Sequence, residues 1–199
     1  MTDQAEFIAR LTERAQNSST ATDEGGRVAA PPATEEQITA AEKWLGTRLP
    51  EPLKQLYRKV GDGGWGPGAG LSKLAEMGKP VAGLIPLCDW GGGITSEVDC
   101  TQPDAPIIRR DPNMPKADVA ARVPAAMHFA RATLIKQACW VESASLESWL
   151  ESWLDGAALF YRAYDGGSDE EEEDEEEEDG EVEAEAREAA AVVPDAPAQ

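Results

Sequence analysis

The chain has 199 residues and a formal charge of −20, most of which lies at one end. Residues 165–199 hold 17 acidic residues and one basic residue, whereas the other 164 residues hold 21 acidic and 17 basic ones. This mildly acidic body lacks the Lys/Arg-rich face that phosphate binding requires, so composition disfavours direct nucleic-acid binding. Neither a signal peptide nor a run of about 18 apolar residues is found, so we predict no membrane span and a cytoplasmic protein.

The first 33 residues predict a short helix followed by a linker. Between residues 3 and 16, apolar side chains recur at helix-like intervals, namely Ala5, Ile8, Ala9, Leu11 and Ala15. Residues 17–33 are rich in Ser, Thr, Gly and Pro and show no apolar period, which is typical of a linker.

A helix is predicted to begin at "TEEQ", residues 34–37. This stretch fits a capping box, in which the Thr34 hydroxyl accepts a backbone N–H and Gln37 reaches back to the cap. Gly46 is a natural left-handed stop. The residues predicted to face inward are Ile38, Ala41, Trp44 and Leu45.

A second helix is predicted after the Leu49-Pro50 joint. Pro52 suits a first helical turn, and Gly61 ends the pattern. The predicted buried stripe comprises Leu53, Leu56, Tyr57 and Val60.

The middle of the chain changes from helical to strand-like patterns. "GDGGWGPGAGL" (61–71) predicts a glycine-rich crossover from helix to strand, with Trp65 anchored against the core. Short β-rich runs at 81–90, 94–100 and 105–110 indicate antiparallel strands, and 133–142 is a further candidate. Gly91 to Gly93 are predicted to form a turn between the first two strands.

The last ordered element is predicted to be a helix over "SLESWLESWLDG". Leu146, Trp149, Leu150, Trp153 and Leu154 follow helical spacing, with Ser145 as cap and Gly156 as stop. Residues 165–199 have almost nothing to bury and carry like charges, so a disordered acidic tail is expected.

The sequence lacks the residue patterns that are typical of a zinc site or of a nucleophilic active site. Eleven residues lie between Cys88 and Cys100, without the close pairing typical of zinc ligands, so no metal or cofactor is predicted. His128 is the sole imidazole and lies among apolar residues. A Cys–His pair stays possible, but reduced structural thiols and a satisfied histidine are favoured.

The glycines and carboxylates also favour structural roles. The glycine-rich run matches neither common phosphate-binding pattern and follows a helix, which disfavours nucleotide binding. If 94–100 is a strand, Glu97 and Asp99 share a face that we expect to be solvent-exposed. Solubility or partner contact is favoured there over acid–base catalysis.

The sequence resembles the SUKH superfamily, specifically its Smi/Knr-type branch, over about residues 34–164. Four pieces match in order: "ITAAEKWLGTRLPEPLKQLYRKVGDGG"; "GGWGPGAGL"; "IPLCDWGGGITSEVDC" with "DAPIIRRDPN"; and "SLESWLESWLDG". The resemblance implies an α+β fold, with N- and C-terminal helices packed on a mostly antiparallel sheet of about four to six strands. It also implies fold-determining roles for Leu49, Pro50, Gly64, Trp90, Asp99, Trp149 and Leu150.

The resemblance further implies a protein-binding module without catalytic activity. Bacterial members are thought to bind and neutralise toxins, often nucleases, and a fungal member regulates cell-wall synthesis. We therefore expect an immunity protein with a basic toxin partner, or alternatively a regulatory scaffold that binds several cellular partners. An enzyme, a small-molecule substrate and a membrane partner are disfavoured. Acids around aromatic anchors suit a basic partner, and the predicted contact residues are Asp62, Trp65, Asp89, Trp90, Glu97 and Asp99.

Overall fold

The computed structural model describes residues 4–25, 27–123 and 128–164, with residues 128–131 described by their backbone alone. The predicted acidic tail and the side chain of His128 lie outside the described residues. The elements are α1 (Gln4–Gln16), α2 (Glu35–Leu45), α3 (Glu51–Lys59), β1 (Leu84–Gly91), β2 (Ile94–Asp99), β3 (Ile107–Arg110), α4 (Lys116–Arg122), α5 (His128–Lys136), β4 (Cys139–Ser143), α6 (Leu146–Leu154) and α7 (Leu159–Arg162), with a 3₁₀ turn at Leu74–Glu76.

The four strands form one antiparallel sheet in the order β1-β2-β3-β4. Val98 of β2 pairs with Ile85 on β1 and with Ile107 on β3. Each strand lies beside its neighbour in sequence, as in a meander. The predicted α+β fold with a mostly antiparallel sheet is therefore confirmed.

Both faces of the sheet are covered. Ile85 and Ile107 belong to a large core shared with α1, α2, α3 and α6. Their neighbours Leu84 and Ile108 point the other way, into a smaller cluster with residues of α4 and α5. This division follows from the two-residue repeat of a strand.

The ends of α2 are as predicted, but its buried face is narrower than the predicted one. Thr34 and Gln37 form the reciprocal capping box, and Gly46 ends the helix in the left-handed conformation with φ of 72°. The prediction that Trp44 faces inward is wrong, because its exposed fraction is 58%. At 3.6 residues per turn, Trp44 lies roughly a quarter turn from the centre of the buried stripe.

The region before β4 also differs from the prediction. Residues 133–136, predicted as part of a strand, form the end of α5, and β4 begins only at Cys139. Leu134 is buried in the smaller cluster with Val119 of α4. The helical form lets this segment cover the outer face of the sheet, so tertiary packing overrides its local β propensity.

The glycine-rich loop has the structural role that we predicted. Gly63, Gly64, Gly66, Gly68 and Gly70 all have positive φ. A Cβ on Gly70 would lie 2.8 Å from the backbone carbon of Gly64, so the two parts of the loop can approach only without side chains. Trp65 is fully buried and donates from Nε1 to the Gly61 carbonyl, at 3.2 Å.

The segment predicted as a linker, residues 17–33, packs against this loop. Thr22 forms a parallel bridge with Gly66, whose N–H donates to the Ala21 carbonyl at 2.7 Å. Asp23 accepts from the Gly68 N–H at 2.7 Å and from Nε1 of Trp153 at 2.8 Å. These contacts are mainly hydrogen bonds, so they leave no apolar period in the sequence.

Candidate partner-binding surface

The β1–β2 hairpin ends in an exposed turn formed by Gly91, Gly92 and Gly93. Their φ values are 82°, 61° and 82°, a region that side-chain-bearing residues rarely adopt. Asp89 Oδ1 accepts from the Gly91 N–H at 2.8 Å, and the Asn113 amide donates to the Gly92 carbonyl at 3.2 Å. The predicted strand, glycine turn and strand are confirmed.

A buried ion pair lies beside this hairpin. Arg109 Nη2 donates to Glu142 Oε1 at 2.7 Å, and the exposed fractions of the two side chains are 0% and 4%. Glu142 also accepts from Trp149 Nε1 at 2.8 Å and from Ser96 Oγ at 2.7 Å. Arg109 Nη2 further donates to the Leu159 carbonyl of α7 at 3.2 Å, so the pair links β3, β4 and α7.

Trp90 is held in place by this ion pair. Its indole Nε1 donates to Ser96 Oγ at 2.8 Å, and the Arg109 guanidinium carbon lies 4.5 Å from its ring centroid. Arg109 Nε and Nη1 have no hydrogen-bond partner among the described residues. The π face of the indole supplies an electrostatic contact to that guanidinium. Gly68 packs closely against the ring, since a Cβ on this residue would lie 3.1 Å from Trp90 Cε3.

Helix α7 extends this arrangement to the protein surface. The Phe160 ring centroid lies 5.7 Å from that of Trp90, 5.3 Å from that of Tyr161 and 5.5 Å from that of Tyr164. Trp90, Phe160 and Tyr164 are partly buried, and Tyr161 is 69% exposed. We call these four residues the aromatic surface.

Tyr164 fixes the end of the aromatic surface. Its hydroxyl donates to Asp111 Oδ2 at 2.9 Å, and its ring lies 5.7 Å from that of Trp140. Burial and the Asp111 carboxylate raise the pKa of Tyr164 to about 12, so its hydroxyl stays protonated at neutral pH. Our sequence reasoning missed α7, although three aromatic residues in "LFYRAY" were a signal of it.

Two of the six predicted contact residues are buried, which corrects the prediction that they form a surface. Trp65 packs in the core with its ring 6.4 Å from that of Trp153. Glu97 is 3% exposed and accepts from Arg110 at 2.6 and 2.8 Å. Because Arg110 on the adjacent strand binds Glu97, Glu97 does not form the solvent-facing pair with Asp99 that we expected.

The other four predicted residues lie nearer the surface. Asp62 Oδ1 accepts from the Leu74 N–H at 2.9 Å. Asp99 accepts from the Thr101 N–H and from Gln102 Nε2, both at 2.8 Å. These bonds give both aspartates local structural roles. Asp89 is exposed and directly precedes Trp90 in the chain, and Trp90 itself belongs to the aromatic surface.

The thiols are in surroundings that disfavour the reactive thiolate. Cys88, Cys100 and Cys139 are unpaired, and burial is the main cause that raises the pKa of each. For Cys100 and Cys139 the pKa rises to about 12. Within the part of the chain that the structure describes, no three His, Cys, Asp or Glu side chains are grouped to hold a metal ion, and no helix is long and apolar enough to cross a membrane.

Comparison with known proteins gives one family match. A sequence model of the SMI1 / KNR4 family (SUKH-1) matches residues 32–109, which include α2, α3, the glycine-rich loop, β1 and β2. No curated protein matches the chain. The matched segment contains Trp90 and its glycine turn, together with Arg109 on β3. Residues 32–109 are therefore similar to the SMI1 / KNR4 family (SUKH-1).

Proposed function

We propose that the chain is a non-catalytic protein-binding module, and specifically an immunity protein that binds and neutralises a toxin protein. Domains of this family are generally immunity or regulatory modules, which supports the general class. The observation on which we base the proposal is the aromatic surface beside a buried ion pair. An exposed aromatic surface of this kind also favours a protein partner over a small-molecule substrate.

The aromatic surface has the properties of a binding hot spot. Tyr161 exposes most of its side chain, while Phe160 beneath it is held between Trp90 and Tyr164. Large aromatic side chains contribute much of the binding energy in protein interfaces. Because the ion pair and the ring contacts already order these residues, little conformational entropy is lost on binding.

A basic partner, such as a nuclease toxin, suits the charge of this chain. Asp89 is exposed and precedes Trp90 in the chain, so we assign its carboxylate to the contact with a basic partner. The chain as a whole has a formal charge of −20, so its long-range field attracts cations. Such a field raises association rates and weakens as salt is added.

Capture with the purified full chain from an extract of cells that express it tests the proposal. We expect one stoichiometric basic protein whose toxicity, when it is expressed alone, is relieved by co-expression of this chain. Tyr161→Ala and Asp89→Lys should each weaken the complex, the former by at least about tenfold if Tyr161 is a hot spot. Trp44→Ala replaces another exposed aromatic residue and should leave the affinity unchanged.

One outcome would reject the immunity function, and another would reject only the aromatic surface as its binding site. Many weakly bound proteins, none of them toxic, would indicate a regulatory scaffold. A single toxic partner whose affinity is unchanged by Tyr161→Ala and Asp89→Lys would retain the immunity role and remove the aromatic surface from it.

A further inference from the structure

A second exposed aromatic residue lies on α2, away from the elements that form the aromatic surface. Trp44 is 58% exposed, whereas Trp65, Trp140, Trp149 and Trp153 are at most 2% exposed. An indole that remains in water forgoes the large favourable free energy of its burial. Trp44 therefore leaves a large apolar side chain at the surface, where a partner could cover it.

The loop before β1 adds a cation to Trp44 and carries an exposed apolar side chain two residues later. The Lys79 ammonium lies 4.6 Å from the Trp44 ring centroid. Two residues further along the same loop, Val81 is 55% exposed. We call Trp44, Lys79 and Val81 the Trp44 patch.

The neighbourhood of this patch is cationic, although the protein is acidic. Lys43 and Arg48 flank Trp44 in sequence and are exposed. Among the described residues, neither of them nor Lys79 forms an ion pair with a carboxylate.

The nearby acids are already engaged. Glu42 accepts from the Leu49 N–H at 2.9 Å and lies 3.6 Å from the Lys54 ammonium. Glu76 lies 3.6 Å from the Lys73 ammonium. Lys79 in the Trp44 patch, and Lys43 and Arg48 beside Trp44 in the sequence, are therefore cations without an ion-paired carboxylate among the described residues.

We propose that the Trp44 patch binds an acidic peptide segment of a protein partner, distinct from the partner of the aromatic surface. An aliphatic or aromatic side chain of the peptide packs on Trp44 and Val81. An adjacent Asp or Glu accepts hydrogen bonds from Lys79, because only one side of the ammonium faces the indole and its remaining donors can reach a carboxylate. Lys43 and Arg48 extend the attraction along the peptide.

A peptide fits this patch better than a nucleic acid does. Single-stranded nucleic acids need a continuous basic groove that follows many phosphates. The body of this chain has more acidic than basic residues, so a long polyanion is repelled beyond the immediate patch. A short segment with a few carboxylates and one apolar side chain meets only the local cations.

Selection of a random peptide library displayed on phage tests this inference. The full chain and its Trp44→Ala variant are immobilised in parallel, and the two enriched pools are compared. We expect peptides that combine Asp or Glu with Leu, Ile or Phe to be enriched only on the unsubstituted chain. Basic peptides attracted by the acidic residues elsewhere should appear in both pools and cancel in the comparison.

Affinity measurements on the most enriched synthetic peptide then separate the two surfaces. Trp44→Ala and Lys79→Glu should each weaken its binding at least about tenfold, and Tyr161→Ala should leave it unchanged. Replacing the Asp and Glu residues of the peptide by Asn and Gln should cause a similar loss.

The inference is overturned if the two pools are alike, or if the neutral peptide binds as tightly as the acidic one. It is also overturned if the peptide fails to distinguish Lys79→Glu from the unsubstituted chain. An oligothymidylate that binds the unsubstituted chain and not Trp44→Ala would assign the patch to single-stranded nucleic acid instead.

Discussion

At the scale of single residues, Arg109 and Glu142 place two opposite charges where water has almost no access. Removing charges from water costs several kcal/mol per ion, which only good geometry and additional hydrogen bonds offset. Glu142 meets this requirement with donors from Arg109, Trp149 and Ser96. The ion pair therefore adds little net stability, but it determines where Trp90 and α7 lie.

Glu142→Gln tests how much the buried Arg109 charge destabilises the fold when it loses its counter-ion. The substitution keeps the shape of the side chain but leaves the Arg109 charge buried without its counter-ion. We expect the free energy of unfolding to fall by about 3 to 5 kcal/mol in urea denaturation. Weaker contact of α7 should also increase hydrogen exchange at Leu159 to Arg162.

Glu76→Gln is the matched control, because the Lys73–Glu76 pair is exposed at the surface. Its effect should stay below about 1 kcal/mol. Equal effects of the two substitutions would show that the buried pair has no special role.

At the scale of elements, the glycine-rich loop and residues 17–33 act together. The loop brings Trp65 into the core, and it is joined to the preceding segment by the Thr22–Gly66 bridge and the hydrogen bond from the Gly68 N–H to Asp23. The family match begins at residue 32, yet the preceding residues complete the packing around the loop. The boundary that we predicted at residue 34 remains a prediction about the domain, and the contacts cross it.

Gly70→Ala and Gly92→Ala form a matched pair for the glycine-rich loop and the hairpin turn. Both glycines have positive φ, but a Cβ meets nothing within 4 Å at Gly92 and lies 2.8 Å from backbone atoms at Gly70. We expect Gly92→Ala to cost about 1 to 2 kcal/mol from backbone strain alone. Gly70→Ala should cost roughly 2 to 5 kcal/mol, because steric overlap adds to the strain. Thermal unfolding measures both, and equal losses would contradict the close approach within the loop.

Asp23→Ala tests whether the segment predicted as a linker stabilises the body. It removes the acceptor of the Gly68 N–H and of Trp153 Nε1. Because both donors are then left in partly buried positions, the free energy of unfolding should fall by about 2 kcal/mol. Asp155→Ala breaks only the exposed Arg10–Asp155 pair and should cost less than about 1 kcal/mol. If Asp23→Ala lowers the free energy of unfolding no more than this control does, residues 17–33 do not stabilise the body.

At the scale of the whole molecule, charge is divided between a nearly balanced body and a strongly acidic C-terminal stretch. Phosphate-binding functions remain disfavoured, whereas attraction of a basic protein is supported by the sign of the charge. The two surfaces that we propose would give the body two partner sites with opposite charge preferences.

Deletion of residues 166–199 tests whether the acidic stretch assists capture of the basic partner. We expect the association rate at low salt to fall by roughly ten- to a thousandfold, and its dependence on salt to become weaker. The midpoint of thermal unfolding should stay unchanged. An association rate that matches that of the full chain at every ionic strength would remove this stretch from the mechanism.

Several elements could be predicted from the sequence because their signals are local. The capping box of α2, the helical period of α6 and the three glycines after Trp90 each depend on neighbours within a few residues. Helix α5 could not be predicted in this way, because its residues 133–136 have β propensity and become helical where they cover the sheet.

The candidate site was predictable only in part, for a related reason. Asp89 and Trp90 directly precede one recognisable glycine turn, whereas Phe160 packs on Trp90 from a helix some seventy residues later. Sequence spacing gives no distance between such elements. We predicted Glu97 to face solvent because its ion pair with Arg110 depends on the register of β2 and β3, which the sequence does not give.

The sequence by itself determined the turns that need glycine and the unequal distribution of charge, because these follow from side-chain chemistry and short-range periodicity. The α+β fold class came from the resemblance of the sequence to a known family. Only the tertiary structure decided which tryptophans lie in the core and which at the surface, and which charges are buried as pairs. Burial depends on contacts between residues far apart in the chain, and a local pattern does not contain that information.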